Sequence, residues 1–247
     1  MERPGMDYSE KSSIQQIREK FDRSVEKYSD LDAAQKTLPD AALAMELITE
    51  AAHRMTPEAV NVLDVGCGAG NNTLMFIRMH QGRLNCDLLD LSKNMLERAQ
   101  QRVAAASPGG TIRTMQGDFR VAPLDSDHYD VVFAAAVLHH LRDDADWRSA
   151  FRKLYSIIAP GGGLWITDLI CHDSPEVEAM MRRRYADYLV AAGGAGLRDW
   201  TFETQRVEDT PRSLNWQLEL LREVGFGQIE ILHKTSCFAA FGGIKPR

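Results

Sequence analysis

Two adjacent histidines, and a third further along the chain, are the side chains best suited to proton transfer. His139 and His140 follow one apolar run that predicts a buried strand, and His172 follows another, with Asp168 near its end. Because imidazole changes its charge near neutral pH, it can act as a general acid or base. Ligands of open α/β sheets bind at the carboxyl ends of strands. We therefore take these four residues as candidate catalytic groups, while a structural role for at least one of the paired histidines stays open.

A glycine-rich segment, LDVGCGAG, overlaps the end of the apolar run 60–65 and precedes a helix-like segment at 72–80. A strand, a glycine loop and a helix in this order direct backbone amides and the positive end of a helix towards a ligand. The glycines, Gly66, Gly68 and Gly70, depart from the GxGxxG spacing of dinucleotide-binding loops, which weakens a pyrophosphate interpretation. The segment predicts a ligand with a nucleotide-like or carboxylate-bearing part.

Two acidic residues stand where they could hold a nucleoside. Asp90 ends the second predicted strand, twenty residues after Gly70, where a carboxylate can accept hydrogen bonds from both ribose hydroxyls. Asp118 follows the third strand beside Phe119, and an acid next to an aromatic ring suits the edge and the face of adenine. Two alternatives stay open: Asp90 as a cap of the next helix, and Asp118 as a turn residue.

Apolar runs and helical periodicity alternate through the central part of the chain. The predicted strands are 60–65, 84–89, 111–116, 129–138 and 164–170, and the predicted helices are 72–80, 93–105 and 144–158, the last closed by the Pro-Gly-Gly-Gly run at 160–163. Such alternation predicts a parallel sheet with right-handed crossovers and helices on both faces. Two further runs, 228–234 and 236–244, predict an antiparallel hairpin at one sheet edge. The predicted fold class is α/β, a Rossmann-like three-layer sandwich with a mostly parallel seven-stranded sheet and an antiparallel C-terminal strand.

Helical segments on either side of this alternation are available to cover a site. Residues 9–28 place apolar side chains at spacings of three and four, which is typical of an amphipathic helix, and a second helix is predicted over 39–53. A further helix begins at Ser174-Pro175 and ends at Gly193-Gly194. The predicted divisions are N-terminal helices roofing the site at 1–55, a core at 56–170 and 213–247, and a helical insertion at 171–212 that roofs the substrate.

Composition restricts the partners and the compartment. The chain has 247 residues and a net charge of −6, so we expect no binding of nucleic acid through bulk electrostatics. Four cysteines without CxxC spacing, and a polar first segment without a signal peptide, predict reduced thiols in the cytoplasm. No apolar stretch is long enough to span a membrane. Cys171-His172 lacks partners at zinc spacing, and we expect no metal site.

Five motifs in order, VLDVGCGAG, LLDLS, QGDF, YDVVFAAAVLHHL and IAPGGG, resemble those of the class I S-adenosylmethionine-dependent methyltransferases. The resemblance is strong over 58–170 and looser over the last forty residues. It implies S-adenosylmethionine as the cofactor, with its methionine part on Asp64 and the glycine loop. As an alternative, Asp64 could be a buried acid that caps the following helix. The resemblance also implies that Asp90 binds the ribose and that Asp118 and Phe119 bind the adenine. The full set of implied cofactor-binding residues is Tyr28, Asp64, Gly66, Cys67, Gly68, Gly70, Asp90, Leu91, Gly117, Asp118, Phe119 and Ala135.

The N-terminal and C-terminal segments indicate which branch of this family the chain resembles. The C-terminal half resembles the branch that contains quinone and small-molecule methyltransferases and carboxy-S-adenosylmethionine synthase, a relative in tRNA modification. In FDRSVEKYSDL, Tyr28 matches the tyrosine that closes over the cofactor in that branch. The synthase uses an arginine of the insertion to bind a carboxylated sulfonium. Phe202 occupies the corresponding position here, although Arg206 and Arg212 lie nearby, so the match to the synthase is weakened but stays open.

The insertion also supplies candidate contacts for an acceptor. These candidates are Arg182, Tyr185, Tyr188 and Arg206. An arginine could bind a carboxylate or phosphate of the acceptor, or it could simply face solvent. We expect S-adenosylmethionine-dependent methyl transfer to a small-molecule acceptor by in-line displacement. The alternatives are a carboxy-S-adenosylmethionine synthase-like or tRNA-modification enzyme and a non-catalytic binding module, and a homodimer is one assembly that the sequence allows.

Overall fold

A seven-stranded sheet organises the chain, of which the computed structural model describes residues 8–106 and 109–247. The strands are β1 (Asn61–Val65), β2 (Leu84–Asp90), β3 (Gly109–Gln116), β4 (Tyr129–Ala135), β5 (Ile158–Leu169), β6 (Gly227–Thr235) and β7 (Phe238–Ile244). They lie in the order β3-β2-β1-β4-β5-β7-β6. The first five pair in parallel, whereas β7 is antiparallel to both of its neighbours. This arrangement confirms the predicted fold class, with the C-terminal hairpin at one edge.

Helices cover both faces of this sheet. In the described residues they are α1 (Ile14–Asp22), α2 (Val25–Ser29), α3 (Leu31–Gln35), α4 (Ala41–Met55), α5 (Asn71–Met79), α6 (Lys93–Ala105), α7 (Asp144–Ile157), α8 (Pro175–Glu208) and α9 (Leu214–Val224). Helices α4, α5 and α6 share one apolar core, and α7 and α9 share the other, so the fold has three layers. None of these described helices is both long enough and apolar enough to cross a membrane.

Alternation along the central strands divides the core between the two faces. In β4, Val132 and Ala134 belong to the core that contains α7 and α9, whereas Val131 and Phe133 belong to the core that contains α4, α5 and α6. All four side chains are 0% exposed. A strand buried on both faces is apolar at most positions, which explains why the central runs of the sequence are largely hydrophobic.

The N-terminal segment differs from the single helix predicted over 9–28. Ser24 interrupts it, since its hydroxyl donates to the carbonyl of Lys20 (2.8 Å) and its own backbone is not helical. Serine side chains compete with a helix in this way, by bonding to nearby backbone groups. The segment therefore forms two short helices, α1 and α2, followed by α3. The next helix, predicted from 39, begins at Ala41 because Asp40 has a left-handed backbone (φ 55°).

The Pro-Gly-Gly-Gly run at 160–163 was predicted to close α7, but it does not. Helix α7 ends at Ile157 and the run belongs to β5, which is longer than the predicted 164–170. A Cβ on Gly162 would lie 2.8 Å from the carbonyl oxygens of two residues of β4, so glycine allows the two strands to approach. Strand β4 in turn is shorter than the predicted 129–138, because a 3-10 turn forms at Leu138–His140.

The insertion contains one long kinked helix, α8. Its beginning is as predicted, because the Ser174 side chain caps it and Pro175 is its first residue. Its end is not as predicted: Gly193 and Gly194 have non-helical torsion angles and kink the helix, which then continues to Glu208. A glycine pair can break helical geometry without ending the helix, because the residues that follow are free to resume it. The domain boundaries proposed above stay predictions.

Candidate active site

A cavity of about 320 Å³ lies at the carboxyl ends of β1, β2, β4 and β5 and beneath α1 to α4 and α8. The predicted site residues that line it are Tyr28, Gly66, Cys67, Gly68, Asp90, Leu91, Ala135, His139, His140, Asp168 and Tyr185. The predicted site residues that lie outside its lining are Asp64, Gly70, Gly117, Asp118, Phe119, His172, Arg182, Tyr188 and Arg206. Because the strand order at this edge is β2-β1-β4-β5, the wall runs from Asp90 past the glycine loop to Asp168.

The glycine loop approaches the cavity as bare backbone. Gly66, Gly68 and Gly70 all have positive φ angles (64°, 50° and 80°), a region that other residues enter at a cost. A Cβ on Gly66 would lie 2.8 Å from a methyl group of Val137, whereas a Cβ on Gly68 would meet nothing within 4 Å. A side chain at Gly68 would therefore occupy the space beside the loop. The loop fits a ligand that must lie directly against the backbone.

Asp90 joins this loop to the end of β2. One carboxylate oxygen accepts from the amide of Gly68 (2.8 Å), and the other accepts from the amide of Ser92 (2.8 Å). Burial raises the pKa of Asp90, although these two amides act in the opposite direction. A carboxylate has lone pairs for about four hydrogen bonds, so Asp90 can still accept hydrogen bonds from two hydroxyl groups of a ligand. The arrangement fits the ribose of a nucleoside.

Asp64 lies behind the loop and not in the cavity wall. Its side chain is 0% exposed and accepts from the hydroxyl (2.8 Å) and the amide (3.3 Å) of Thr73, in the first turn of α5. Burial raises the pKa of Asp64 to about 6, although the bonds from Thr73 lower it. Burial also raises the pKa of the Cys67 thiol well above its ordinary value, so this cysteine fills the loop as a neutral group.

The residues predicted to bind adenine have other partners. Asp118 forms an ion pair with Arg120 (2.5 Å), which also pairs with Asp146 (2.5 Å). Phe119 is 6% exposed and packs in the core that contains α7 and α9. Among the residues that the structure describes, neither these two nor Gly117 belongs to the cavity lining. The adenine role of this segment therefore stays a prediction.

Two histidines and two aspartates form a polar cluster in the cavity wall. His139 and His140 lie on the 3-10 turn after β4, where the His139 amide donates to Asp168 (3.1 Å) and the His139 Nδ1 also bonds to Asp168. Asp209, directly after α8, places its Oδ1 3.3 Å from His140 Nδ1 and 3.7 Å from His139 Nε2. Asp209 was not predicted, because only the return of α8 brings it to the histidines.

The charged groups in this cluster stabilise one another electrostatically. Burial lowers the pKa of His139, but the carboxylates of Asp168 and Asp209 outweigh burial and raise it to about 9. Burial raises the pKa of Asp209, but His139, His140 and Lys20 together outweigh burial and lower that pKa. Two carboxylates therefore favour a positive charge between them, at the position of the His139 ring.

Most of the predicted acceptor contacts lie elsewhere. His172 bonds to Glu178 through Nδ1 (2.9 Å) and lies next to Lys234 through Nε2 (3.2 Å). The Arg182 guanidinium lies 4.5 Å from the centre of the Phe202 ring. The remaining two are also engaged: the Tyr188 hydroxyl donates to the carbonyl of Lys36 (3.3 Å), and Arg206 pairs on the surface with Glu203 and Glu10 (both 2.8 Å). Of the four insertion residues, only Tyr185 lines the cavity.

The roof brings the two ends of the chain together over the cavity. The Tyr28 ring lies 5.4 Å from that of Phe21, and the Tyr28 carbonyl accepts from the Asn71 side chain beside the glycine loop (3.3 Å). Burial raises the pKa of Tyr28 to about 12, so its hydroxyl stays protonated at neutral pH. The Lys20 ammonium forms an ion pair with Glu208 at the end of α8 (2.6 Å). The N-terminal helices and the insertion therefore form one cover.

Known proteins share this architecture. Residues 62–162 match a family model described as a methyltransferase domain. The carboxy-S-adenosyl-L-methionine synthase of Shewanella frigidimarina is 24% identical over 87% of this chain and 88% of its own. An O-methyltransferase of Penicillium expansum is 27% identical over 57% of this chain, which spans about half (49%) of that enzyme. Human N-acetylserotonin methyltransferase in complex with S-adenosylmethionine has the same fold, with a TM-score of 0.62, 16% identity and coverage of 97% of this chain and 64% of that one.

The fold, the glycine loop and the matches agree on one cofactor. The glycine loop after β1 and the carboxylate after β2 occupy the positions that nucleoside ligands use in such sheets. The matched domain and the relatives identify that ligand as S-adenosylmethionine and the protein as an enzyme that uses it. Residues 62–162 are thus a methyltransferase domain, and the fold and the relatives support a class I S-adenosylmethionine-dependent methyltransferase.

Proposed function

We propose that this enzyme methylates a hydroxyl group of a small, mostly apolar molecule. The observation that carries this proposal is one continuous cavity that is bordered by the glycine loop and by the His139, His140 and Asp209 cluster. Between these two parts of the wall the roof is apolar and aromatic. An acceptor with an apolar body and an oxygen at one end fits that distribution.

The glycine loop and Asp90 are the residues that would hold S-adenosylmethionine. The cofactor supplies, when bound, a methyl group already activated by a positive sulfur. The backbone at Gly66 and Gly68 lies against the cavity without side chains, and Asp90 offers acceptor oxygens for two hydroxyl groups. The role of the chain is therefore to fix two molecules in line and to exclude water from between them.

The roof selects the body of the acceptor. Phe21, Leu38, Met45, Trp200 and Phe238 line the cavity and present apolar surface to it. Two cations, those of Lys20 and Lys27, also border it; the first is paired with Glu208, and the second lies 4.9 Å from the centre of the Trp200 ring. The acceptor therefore needs little formal charge. The polar cluster at β4 and β5 is the part of the wall that can receive its hydroxyl group.

The synthase activity of the Shewanella relative is less well supported by the site. A carboxylated sulfonium needs a cationic partner. The described lining of the cavity contains no arginine, and its two lysines already contact Glu208 and the Trp200 ring. Arg182 packs on Phe202, and Arg212 pairs with Asp144 (2.8 Å). Modification of tRNA is less well supported too, because the chain carries a net charge of −6. We place the reaction in the cytoplasm because the four cysteines lie far apart in the sequence and show no CxxC spacing.

Transfer of a labelled methyl group tests this proposal. The enzyme is incubated with methyl-labelled S-adenosylmethionine and a cell extract that has been separated into small molecules, tRNA and protein. We expect label in an organic-soluble small molecule and an equal amount of S-adenosylhomocysteine, and we expect neither with Asp90→Ala. Label in the tRNA or protein fraction would contradict the proposed acceptor class. Tight cofactor binding without any label would favour a non-catalytic binding module.

A further inference from the structure

We infer that His139, His140 and Asp209 form a binding site for one divalent transition-metal ion in the wall of the cavity. Each of these residues offers one ligand atom, and the three atoms lie within 4.8 Å of one another. Asp209 Oδ1 is close to both His140 Nδ1 and His139 Nε2. The existence of the site is independent of the proposed function. Its role, which is to bind the acceptor oxygen, rests on that function.

The spacing of the three atoms suits ligands of one ion. Zinc and similar ions bind imidazole nitrogen and carboxylate oxygen at roughly 2.0–2.2 Å, so that two ligands at a tetrahedral angle are about 3.4 Å apart. Asp209 Oδ1 lies 3.3 Å from His140 Nδ1 and 3.7 Å from His139 Nε2. Two of the three separations therefore match ligands of one ion, and the third is at most 4.8 Å.

Hydrogen bonds do not account for these positions. His140 Nδ1 and Asp209 Oδ1 are buried and, within the described residues, neither has a hydrogen-bond partner, although they are 3.3 Å apart. The two groups are close but are not aligned with each other. The Asp209 side chain is only 8% exposed, so bulk solvent has little access to it. A buried polar atom without a partner is costly, and one cation would satisfy both.

Asp168 holds His139 in the form that a metal requires. The His139 Nδ1 and its backbone amide both bond to the Asp168 carboxylate, which is 0% exposed. A carboxylate on one ring nitrogen leaves the other nitrogen as the ligand and fixes the orientation of the ring, an arrangement common around protein-bound zinc. His139 Nε2, the nitrogen left over, is the one that lies near Asp209.

The backbone holds Asp209 in place independently of any ligand. The amide of the next residue, Thr210, donates to the carbonyl of His139 (2.7 Å). Arg212 then fixes the segment to the turn before α7 through Asp144 and the carbonyl of Arg142 (3.0 Å). The cluster therefore depends on packed backbone rather than on mobile side chains, as a preformed site requires.

The ligand set indicates the class of metal and its use. Two imidazoles and one carboxylate favour ions such as Zn²⁺, Fe²⁺, Co²⁺ or Mn²⁺ over Ca²⁺ and Mg²⁺, which prefer oxygen. Three protein ligands leave a position open, and the cluster borders the cavity. An acceptor hydroxyl bound there would release its proton to solvent and retain the electron pair on oxygen, which becomes the better nucleophile.

Titration with the metal alone tests the site. Enzyme freed of metal with a chelator is titrated with Co²⁺, followed by absorbance, and with Zn²⁺, followed by calorimetry. We expect one ion per chain and an affinity at least about tenfold weaker in His140→Ala and in Asp209→Asn. His128, an exposed histidine outside the cavity, provides the control His128→Ala, which should bind like the wild type. Circular dichroism verifies that each variant is folded.

Two results would overturn the site: no saturable binding by the wild type, or equal binding by the wild type and both folded cluster variants. Methyl transfer in the presence of excess chelator separates this inference from the proposed function. Turnover that survives the chelator would refute the metal's role and leave the methyltransferase intact. Saturable binding in an enzyme that transfers no methyl group would support the metal site while removing the proposed function.

Discussion

Asp90 accepts a hydrogen bond from the backbone amide of Gly68 (2.8 Å), so the carboxylate expected to hold the ribose also holds the glycine loop. Its second oxygen accepts from Ser92 at the start of α6 (2.8 Å). The carboxyl ends of β1 and β2 are thus joined through one side chain. A substitution at Asp90 therefore changes the loop and the ligand contact together.

Substitutions at Asp90 should weaken cofactor binding in a graded way. Asp90→Ala removes the acceptor of two ligand hydroxyls and should lower the affinity for S-adenosylhomocysteine by about 2–4 kcal/mol. It should also lower the melting temperature, because the amides of Gly68 and Ser92 lose their acceptor. Asp90→Asn retains one acceptor oxygen and should therefore lose less cofactor affinity than Asp90→Ala. Calorimetric titration and thermal melting measure the two effects.

Asp118→Asn is the matched control, since Asp118 follows the next strand but lies outside the cavity lining. We expect its cofactor affinity to change by less than about threefold, because Asp118 is engaged with Arg120 and does not reach the cavity. A loss as large as that of Asp90→Ala would instead support the adenine role that the sequence predicts. An unchanged affinity in Asp90→Ala would remove Asp90 from the site.

Gly66→Ala should disturb the glycine loop more than Gly68→Ala. Both glycines have positive φ angles, but only the added Cβ at Gly66 would collide with another residue, at 2.8 Å from a methyl group of Val137. The left-handed backbone costs an alanine about 1–2 kcal/mol at either position. Urea unfolding should therefore show the larger loss for Gly66→Ala, and Val137→Ala should restore part of it. Equal losses, or no rescue, would show that the Val137 contact does not restrict the loop.

The stability of the fold should depend on pH through Asp64. Burial raises the pKa of Asp64 from 3.8 to about 6. Its favourable contribution to folding is therefore fully present below about pH 4, where the group is protonated in both states, and is lost as pH rises through about 6. Relative to Asp64→Asn, which does not titrate, the free energy of unfolding of the wild type should fall by about 3 kcal/mol between pH 4 and 7.5. A difference that stays constant with pH would contradict the raised pKa.

Local sequence patterns predicted the sheet and part of the cavity wall. A parallel strand must be apolar on both faces and a loop with positive φ angles selects glycine, so β1, β4 and the Gly66 loop each have a local signature. The residues at which helices and strands end were harder to predict from the sequence. The glycine pair in α8 kinks the helix where an end was predicted, because its signature is the same for both outcomes.

The position of Asp209 beside the two histidines could not be predicted from the sequence, for a different reason. It lies 69 positions after His140 in the sequence and reaches the cluster only because α8 extends past its kink. Without Asp209 the two histidines are an incomplete ligand set, which explains why the sequence predicted no metal site. Arg120, by contrast, is two residues from Asp118, and its ion pair could have been anticipated from their spacing.

The N-terminal helices should matter more for turnover than for folding. Removal of residues 1–30 deletes Phe21 and Tyr28 from the cavity wall but leaves the sheet and both of its cores. We expect a folded protein that binds S-adenosylmethionine weakly and transfers no methyl group, because water reaches the cofactor. Removal of residues 1–7 alone is the control. Turnover near the wild-type level in the longer deletion would refute the role of these helices as a cover, and a loss of melting temperature alone would reduce them to structural packing.

A crystal structure with S-adenosylhomocysteine tests the position of the cofactor most directly. Its ribose hydroxyls should lie within hydrogen-bonding distance of the Asp90 carboxylate, and its amino-acid part should lie against the backbone of Gly66 to Gly68. The sulfur should point along the wall towards His139 and His140. A nucleoside bound outside this cavity, or a ribose held by a carboxylate other than that of Asp90, would contradict the site described above.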